Sequence, residues 1–531
     1  MADARGGDGT AGIGLTADVA LALLLFAAVA LYLASLPLRL GLADEAYFLY
    51  EAKRLRDGEV MYRDVFQYVT PLSSYAMAVL FWVFGTTMTT AQLAMATVHA
   101  TTGILLFAIA RRLGVRREIA ALGPLVHLAI CQPAWPYASW HWFSTLFTVL
   151  LTLTLVATPW ATRPRWALLP GAVAGLLIGT QQQRGVVVGA GVVVLLLADH
   201  LAGRWYAEQE RVRPLAMRMT WFIVGVLAVL GPLFTILIVT AGAPALYDAM
   251  VRFPLESYRP RNRTTWGAVG ILGQGYARYT MPAVLRAAPW ALILPVAAAL
   301  ADGIRRTRRA RVRELMTLVA LAASSLLSIW YYPDLIHLAF VAPLFWLCAA
   351  VGLEWLLLAL PRPRLARLGG AGASAAVAAG LMWHLVAYAR FVHGQFPFRE
   401  QTAFGPVDFA YAWEANLVGA LRELLPKTAS GEMFCYPNLS APYLTTGGRN
   451  PTPYQHFDAT VFPRERVEEV VATLRRRRVP YVLLVPLFHR PDDPIVRLLN
   501  EEYEMVTTPP LFDAGVPGIW LYRRKDLPNP Q

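Results

Sequence analysis

The segment ADVALALLLFAAVALYLASLPLRLGLADE, residues 17–45, begins as an apolar run and ends on two carboxylates. Residues 17–38 contain one charged side chain, Asp18, and are long enough to cross a bilayer as a helix. This run is longer than the apolar core of a signal peptide, and Arg5 is the only basic residue before it. We therefore predict a retained transmembrane helix that leads into an acidic loop.

The whole chain has the composition of a membrane protein. Of its 531 residues 56% are apolar and 16% are charged, whereas soluble domains contain about 25% charged residues. Its net charge of +13 reflects an excess of basic residues, which in a membrane protein usually lie in cytoplasmic loops. Nucleic acid is therefore not an expected partner. The cysteines, Cys131, Cys348 and Cys435, are too far apart to indicate a disulfide framework or a metal site.

Apolar runs of similar length recur along the chain. They occupy residues 89–110, 118–135, 141–158, 166–182, 185–200, 219–241, 286–302, 314–331, 335–360 and 370–390. With the first run they predict a mainly α, polytopic membrane protein of about eleven transmembrane helices. Residues 71–85 are also apolar, but this segment is too short for a span and is predicted to be an interfacial or re-entrant helix.

Arginine clusters indicate the orientation. They lie within residues 111–117, 163–165, 204–218, 305–313 and 362–367. If residues 71–85 do not span the membrane, all of these clusters fall on one side, which the positive-inside rule assigns to the cytoplasm. We therefore predict a multi-pass protein of the inner membrane, with a cytoplasmic N-terminus and an extracytoplasmic C-terminus.

The composition changes at about residue 393, where charge and proline increase and no membrane-length run follows. Patterns at residues 464–478 and 495–503 predict helices, and those at 481–486 and 518–522 predict strands. We therefore divide the chain into a transmembrane domain, residues 1–392, and a small extracytoplasmic α/β domain, residues 393–531. The Gly447-Gly448 pair is interpreted as a turn.

The loop after the first span, residues 39–88, is the most informative segment for function. Asp44 and Glu45 lie close to the membrane, where carboxylates are unfavourable unless exposed, paired or functional. Residues 46–55 predict a short interfacial helix that ends at Asp57-Gly58. A carboxylate at this position could act as the general base that takes the proton from an acceptor hydroxyl. Nearby arginines and tyrosines could bind the phosphate of a lipid donor. The structural alternative is a helix cap or a solvated loop.

The stretch DEAYFLYEAKRLRDGEVMYRDVF, residues 44–66, followed by PLSSY at 71–75, resembles the first external loop of GT-C glycosyltransferases. It looks closest to the bacterial branch of protein O-mannosyltransferases and the aminoarabinose transferase. The matching positions are Asp44, Glu45, Gly58, Tyr62, Asp64, Pro71 and Tyr75. Phe48 stands where that branch commonly has tyrosine. The resemblance covers about residues 15–390.

The resemblance implies transfer of a hexosyl or pentosyl group from a polyprenyl-phosphate donor, with inversion, to a hydroxyl of a lipid, glycan or protein. Asp44 is then the expected general base. Glu45 is a second catalytic candidate that would orient the acceptor or a partner. Arg63 and Asp64 are substrate-site candidates, with Asp64 bracing the loop through an arginine. Relatives differ in their use of a divalent cation, so no metal or other cofactor is assigned.

Two further candidates lie at the outer ends of spans. Arg184, in the sequence QQQRG at 181–185, requires an anion near the membrane, and the resemblance suggests the donor phosphate. Its alternative is a snorkelling arginine. Tyr332, Asp334 and His337 follow the span that ends near residue 331, and the spacing places Asp334 and His337 on one helical face. They are candidates for the donor phosphate or sugar, and the alternatives are a helix-capping pair and a two-ligand site for a divalent cation.

A third candidate is the basic segment RFPLESYRPRNR, residues 252–263, on the side expected to be poor in arginine. Tyr258 and Arg259, with Arg261 and Arg263, could bind a phosphate or an anionic acceptor. The alternative is contact with anionic lipid headgroups.

The competing function is that of a transporter or flippase for lipid-linked sugars. Transporters commonly show inverted repeats and polar residues in the middle of spans. This sequence has no clear internal repeat, and its polar residues gather at the outer ends of spans, which favours an enzyme. A catalytically inactive scaffold with a partner-binding C-terminal domain is a further alternative.

Overall fold

The computed structural model of the protein describes residues 8–41, 43–202, 214–261, 263–269, 279–304, 309–427, 430–485, 492–507 and 519–527. Each predicted apolar run is helical within these residues. Eight helical segments have the length and composition to cross a membrane: Thr16–Ala34, Met88–Arg112, Trp140–Ala157, Gln182–Ala202, Leu215–Ala241, Pro282–Asp302, Leu335–Ala359 and Leu368–Gln395. The protein is therefore a mainly α, multi-pass membrane protein, as predicted, while the count of eleven spans stays a prediction.

The remaining three apolar runs form less regular or shorter helices. Residues 117–134 are divided into the helices Arg117–Ala120 and Leu122–Val126, a π-helical turn and a 3₁₀ turn. The second segment, Leu168–Thr180, has 13 residues. The third, Arg309–Ser328, has 20 residues and begins with several arginines.

Helix packing separates a buried centre from a lipid-facing periphery. Leu335–Ala359 is largely buried, whereas Leu215–Ala241 exposes most of its side chains. Close approach occurs where the helices carry small residues: a Cβ on Gly171 would lie 2.1 Å from the Phe222 carbonyl oxygen. A Cβ on Gly225 would similarly lie 2.2 Å from the Leu168 carbonyl oxygen. Such contacts replace the hydrophobic effect as the packing force between helices in lipid.

Arginines from several clusters meet at one end of the bundle. Arg111 pairs with Asp18 at 2.9 Å, and Arg116 pairs with Glu354 at 2.8 Å. Asp199 accepts from both Arg218 (2.6 Å) and Arg313 (2.7 Å). These pairs join the ends of different helices and bring residues of three of the five clusters to one end of the bundle, while the orientation in the membrane stays a prediction. Residues 204–213 and 305–308 lie outside the described part of the chain.

Two short helices occupy the opposite end of the bundle. Asp44–Arg56, which we call the acidic helix, ends where predicted, because Asp57 caps it and Gly58 has a φ of 95°. Leu72–Phe84 has 13 residues, or about 20 Å at 1.5 Å per residue, which is too short to cross a hydrocarbon core. Trp82 and Phe84 are exposed on it, as in a helix that lies at a lipid interface.

The C-terminal region, residues 393–531, follows the long helix Pro363–Gln395. Strands β1 (Phe398–Thr402) and β2 (Gly405–Phe409) form an antiparallel hairpin. A four-stranded sheet has the order β3-β4-β6-β5, from Met433–Tyr436 (β3), Tyr481–Leu484 (β4), Tyr503–Thr507 (β5) and Trp520–Arg524 (β6). Only β3 and β4 are parallel. The accompanying helices are Ala412–Leu424, Ala441–Thr446, Arg464–Arg476 and Pro494–Glu502.

The helix and strand predictions for this region are confirmed with one correction. Tyr503 was predicted to end a helix but begins β5, since its backbone is extended and its buried hydroxyl donates to the Val479 carbonyl at 2.8 Å. Gly518 lies outside the described residues. Gly447, with a φ of 79°, terminates Ala441–Thr446, which confirms the predicted turn.

The C-terminal region packs directly on the bundle. The backbone amide of Leu38 donates to Asp408 at 2.7 Å, and that of Met88 donates to the Phe404 carbonyl at 2.9 Å. One hydrophobic cluster includes Phe340 of the helix Leu335–Ala359, Tyr47 of the acidic helix and Tyr443 of the C-terminal region. The C-terminal region is therefore positioned to take part in a site at this end of the bundle.

Candidate functional site

A cavity of about 370 Å³ opens beside the acidic helix, and we call it the tyrosine cavity. Four parts of the chain contribute its walls: the external loop, the ends of several long helices, the 250–259 segment and the turn near 331. The lining residues are Tyr68, Val69, Trp140, His141, Gln181, Gln182, Gln183, Met250, Val251, Pro254, Leu255, Tyr258, Arg259, Trp330, Tyr331 and His337.

Two histidines form one wall of the tyrosine cavity. The ring of His141 stacks on Phe340 at 4.6 Å and meets the ring of His337 at 5.1 Å. His337 shares a hydrogen bond with Asp334 at 2.7 Å, and its backbone amide donates to the same carboxylate at 2.8 Å. Asp334 therefore caps the helix Leu335–Ala359 and orients His337. The ring of Tyr332 lies 5.1 Å from that of His337.

Gln181, Gln182 and Gln183 line the tyrosine cavity, and Arg184 lies behind this wall. The buried guanidinium of Arg184 donates to Ser144 Oγ at 2.9 Å, Thr145 Oγ1 at 3.1 Å and the Phe340 carbonyl at 2.9 Å. These acceptors are neutral, so the positive charge is held near the cavity without a carboxylate among them. The structure thus places Arg184 close to the predicted site as a source of positive potential.

Arg259 is the one lining residue with a permanent positive charge, among the residues that the structure describes. Its guanidinium carbon lies 5.1 Å from the ring centre of Trp330. Tyr258 packs beside it, with its ring 4.7 Å from that of Tyr68. Burial raises the pKa of both tyrosines well above the ordinary value, so their hydroxyls remain proton donors. The side chain of Arg261 lies outside the described part, and Arg263 is exposed.

Asp44 is half-buried in the first turn of the acidic helix, where the helix dipole favours a negative charge. Its carboxylate accepts no hydrogen bond and forms no ion pair with any residue in the described ranges. Burial is the main cause of the raised pKa values of Tyr68, Tyr258 and Tyr332. The negative charge of Asp44 is a smaller cause in the same direction. The carboxylate therefore lies near the cavity tyrosines and keeps its lone pairs available.

Glu45 has the opposite environment. Its buried carboxylate accepts from the backbone amides of Gly41 at 2.7 Å and Ala138 at 2.6 Å. Burial raises its pKa to about 7. It lines a separate cavity of about 50 Å³ with Arg39 and His99. The geometry thus ties Glu45 to the bundle, away from the tyrosine cavity.

Arg63 and Asp64 are also separate from the tyrosine cavity. They form a two-point pair, with contacts of 3.1 and 2.8 Å, and Arg63 holds the pKa of Asp64 below its usual range. Asp64 also accepts from the Val60 amide at 2.8 Å, and Arg54 donates to its carbonyl at 2.8 Å. These contacts match a loop brace. Both residues line a different cavity of about 430 Å³ against the C-terminal region.

Several residues at this end were not identified from the sequence. Tyr68 and Trp330 line the cavity, but aromatic residues near span ends are too common to single them out. Glu51 is fully buried, and Gln67 Nε2 lies 2.5 Å from its Oε2. His456 contacts Tyr47 across the boundary of the C-terminal region. Within the described ranges, no group of three histidine, cysteine or carboxylate side chains could hold a metal ion.

Comparison with known proteins supports the fold. No family model and no curated protein matches this sequence. The structure resembles ArnT from Cupriavidus metallidurans bound to undecaprenyl phosphate, with a TM-score of 0.61, 16% identity and coverage of 96% of this chain and 99% of that one. The apo form of that protein gives a TM-score of 0.57, 14% identity and coverage of 98% and 100%.

An archaeal structure is similar over most of this chain. The oligosaccharyltransferase of Archaeoglobus fulgidus, in complex with Zn and sulfate, has a TM-score of 0.50 and 11% identity. The match covers 93% of this chain and 72% of that one. These likenesses confirm the GT-C fold that the external loop predicts.

Proposed function

We propose that the protein is a membrane glycosyltransferase that moves a sugar from a polyprenyl-phosphate donor to a hydroxyl acceptor, with Asp44 as the general base. The main support for this proposal is the Asp44 carboxylate, which has no partner among the described residues and lies next to the tyrosine cavity. The GT-C fold, and the undecaprenyl phosphate in one structural neighbour, support this donor class.

The tyrosine cavity has the groups that a donor phosphate requires. Arg259 supplies a fixed positive charge, and the hydroxyl of Tyr258 can donate a hydrogen bond. Arg184 adds positive potential from behind the wall. His337, held by Asp334, and the neighbouring Tyr332 would contact the phosphate or the sugar. The exposed side chains of Leu255 and Trp330 at this cavity provide an apolar path for a polyprenyl chain.

The reaction then needs one displacement. The acceptor oxygen attacks C1 of the sugar while Asp44 takes the hydroxyl proton. The bond from C1 to the donor phosphate oxygen breaks, and its electron pair stays on that oxygen as polyprenyl phosphate. Arg259 and Tyr258 stabilise the developing charge. A single displacement inverts the anomeric centre.

The proposed orientation follows from charge. The arginine-rich end of the bundle would face the cytoplasm, and the acidic helix and C-terminal region would face outward from the inner membrane. The acceptor is then a lipid, glycan or protein outside that membrane. We retain the division into a transmembrane domain, residues 1–392, and a C-terminal domain, residues 393–531, as part of this proposal.

Release of polyprenyl phosphate tests the function. Purified protein in nanodiscs is incubated with a panel of polyprenyl-phosphate sugars and a membrane extract that supplies acceptors. Asp44→Asn is expected to lower turnover roughly 100- to 10,000-fold, as for the loss of a general base. Arg259→Gln is expected to raise the KM for the donor. Asp57→Asn, at the other end of the same helix, is the matched control.

Two outcomes would contradict the proposal. Turnover by Asp44→Asn at the wild-type rate would remove Asp44 as the base. Donor movement across liposome membranes without release of polyprenyl phosphate would favour the transporter alternative.

A further inference from the structure

Residues 449–457 of the C-terminal region lie against the acidic helix. The backbone amide of Asn450 donates to the Tyr50 hydroxyl at 3.0 Å. Arg54 donates to the Thr452 carbonyl and to Gln455 Oε1, each at 3.1 Å. These buried hydrogen bonds fix the segment relative to the helix that carries Asp44.

This contact brings His456 against the acidic helix, on which Asp44 lies one turn before Tyr47. Its ring centre lies 5.1 Å from that of Tyr47, one helical turn from Asp44. The charged and titratable groups around the His456 ring are Asp44 and Tyr47 of the acidic helix and Asp458 of its own segment. Burial lowers the pKa of His456, and the charges of Asp44 and Asp458 oppose this effect.

The Nδ1 atom of His456 is buried and has no hydrogen-bond partner among the described residues. An unsatisfied buried polar atom typically lowers stability by about 1–3 kcal/mol, so a bonding partner for Nδ1 would be favourable. The Asp458 carboxylate already accepts from the Thr460 amide at 2.8 Å and hydroxyl at 2.7 Å. Asp44 is therefore the neighbouring carboxylate that remains unengaged.

We propose that His456 is a positioning residue for Asp44, so that the C-terminal domain supplies part of the catalytic site. This inference rests on the proposed function. The structure records no hydrogen bond between the two side chains, so the neutral ring would donate its N–H to the Asp44 carboxylate once the acceptor hydroxyl is bound, and this bond would orient the oxygen that takes the acceptor proton. The acceptor proton still ends on Asp44, and His456 neither gains nor loses a proton in the step. Without residues 449–457 the acidic helix would lose this contact.

Two substitutions test the positioning role. His456→Phe keeps a ring of similar size but no N–H, and is expected to lower kcat roughly 10- to 100-fold, as for a misplaced catalytic group. The KM for the donor should stay unchanged, because the donor phosphate site is elsewhere. His456→Gln restores an N–H donor and should recover part of kcat. His393→Gln, at an exposed histidine, is the matched control.

A second readout does not depend on turnover. Histidine-selective NMR titration gives the pKa of His456 in the wild type and in Asp44→Asn. Loss of the Asp44 charge is expected to lower that pKa, since a nearby negative charge favours the protonated ring. An unchanged His456 pKa in Asp44→Asn, or a wild-type kcat in His456→Phe, would overturn the inference.

The two proposals fail in different ways. A wild-type protein that releases no polyprenyl phosphate from any donor contradicts the proposed function, while the titration still decides whether His456 and Asp44 are paired. Turnover that requires Asp44 but is indifferent to His456 refutes only the positioning role.

Discussion

Glu51 should make the stability of the external loop depend on pH. Its side chain is fully buried within the acidic helix, and Gln67 Nε2 is 2.5 Å from Oε2. Burial raises the pKa of Glu51 from 4.5 to about 7, although hydrogen bonds from Ser74 and Gln67 and the charge of Arg54 oppose this shift.

The sign and size of the effect follow from linkage. The unfolded chain loses the Glu51 proton near pH 4.5, whereas the folded protein retains it up to about pH 7. Stability therefore falls as the pH rises between these values, because the folded state binds more protons. At about 1.4 kcal/mol per pKa unit, the total fall is roughly 3 kcal/mol.

Glu51→Gln removes this dependence, since the amide is neutral at every pH and its oxygen can still accept from Gln67. We expect the difference in unfolding midpoint between variant and wild type to grow in favour of the variant from pH 5 to pH 8. Thermal unfolding in detergent, followed by tryptophan fluorescence, measures it. Glu465→Gln, at an exposed carboxylate, should show no such trend. A variant-minus-wild-type difference that is constant over this range would refute the reasoning.

Two further substitutions probe contacts that hold the loop. Glu45→Gln places an amide NH₂ against one of the two backbone amides that Glu45 binds. At pH 8, where the carboxylate is ionised, it should lower the unfolding free energy by about 1–3 kcal/mol, and an unchanged denaturation midpoint would contradict this. Arg466→Ala removes a guanidinium 4.3 Å from the Phe66 ring and its ion pair with Asp248, and should cost about 2 kcal/mol. The exposed Arg464→Ala is its control, and equal midpoints for the two variants would count against the stacking contact.

Much of the fold follows from local sequence. Lipid cannot satisfy backbone hydrogen bonds, so a membrane-length apolar run has the helix as its stable conformation. The short length of residues 71–85 and the Asp57-Gly58 stop likewise predicted Leu72–Phe84 and the end of the acidic helix. In the C-terminal region, β3, β5 and the β1–β2 hairpin were missed, because short strands depend on pairing with distant segments.

The site divides in the same way. The sequence identified Asp44, Tyr258, Arg259 and His337 as separate candidates, and the structure places the last three in one cavity with Asp44 beside it. The resemblance favoured Asp44 over Glu45 as the base, but the residues themselves gave no physical reason for that preference. Adjacent helical residues point about 100° apart, so one carboxylate faces the tyrosines and the other is bound by backbone amides.

The sequence by itself determined the membrane class, the helices and the acidic loop, because hydropathy and helical periodicity act over neighbouring residues. Only the tertiary structure decided which side chains share a cavity and which carboxylate remains unengaged. It also placed His456, far along the chain, beside the acidic helix. These outcomes depend on packing between distant segments, which no local pattern encodes.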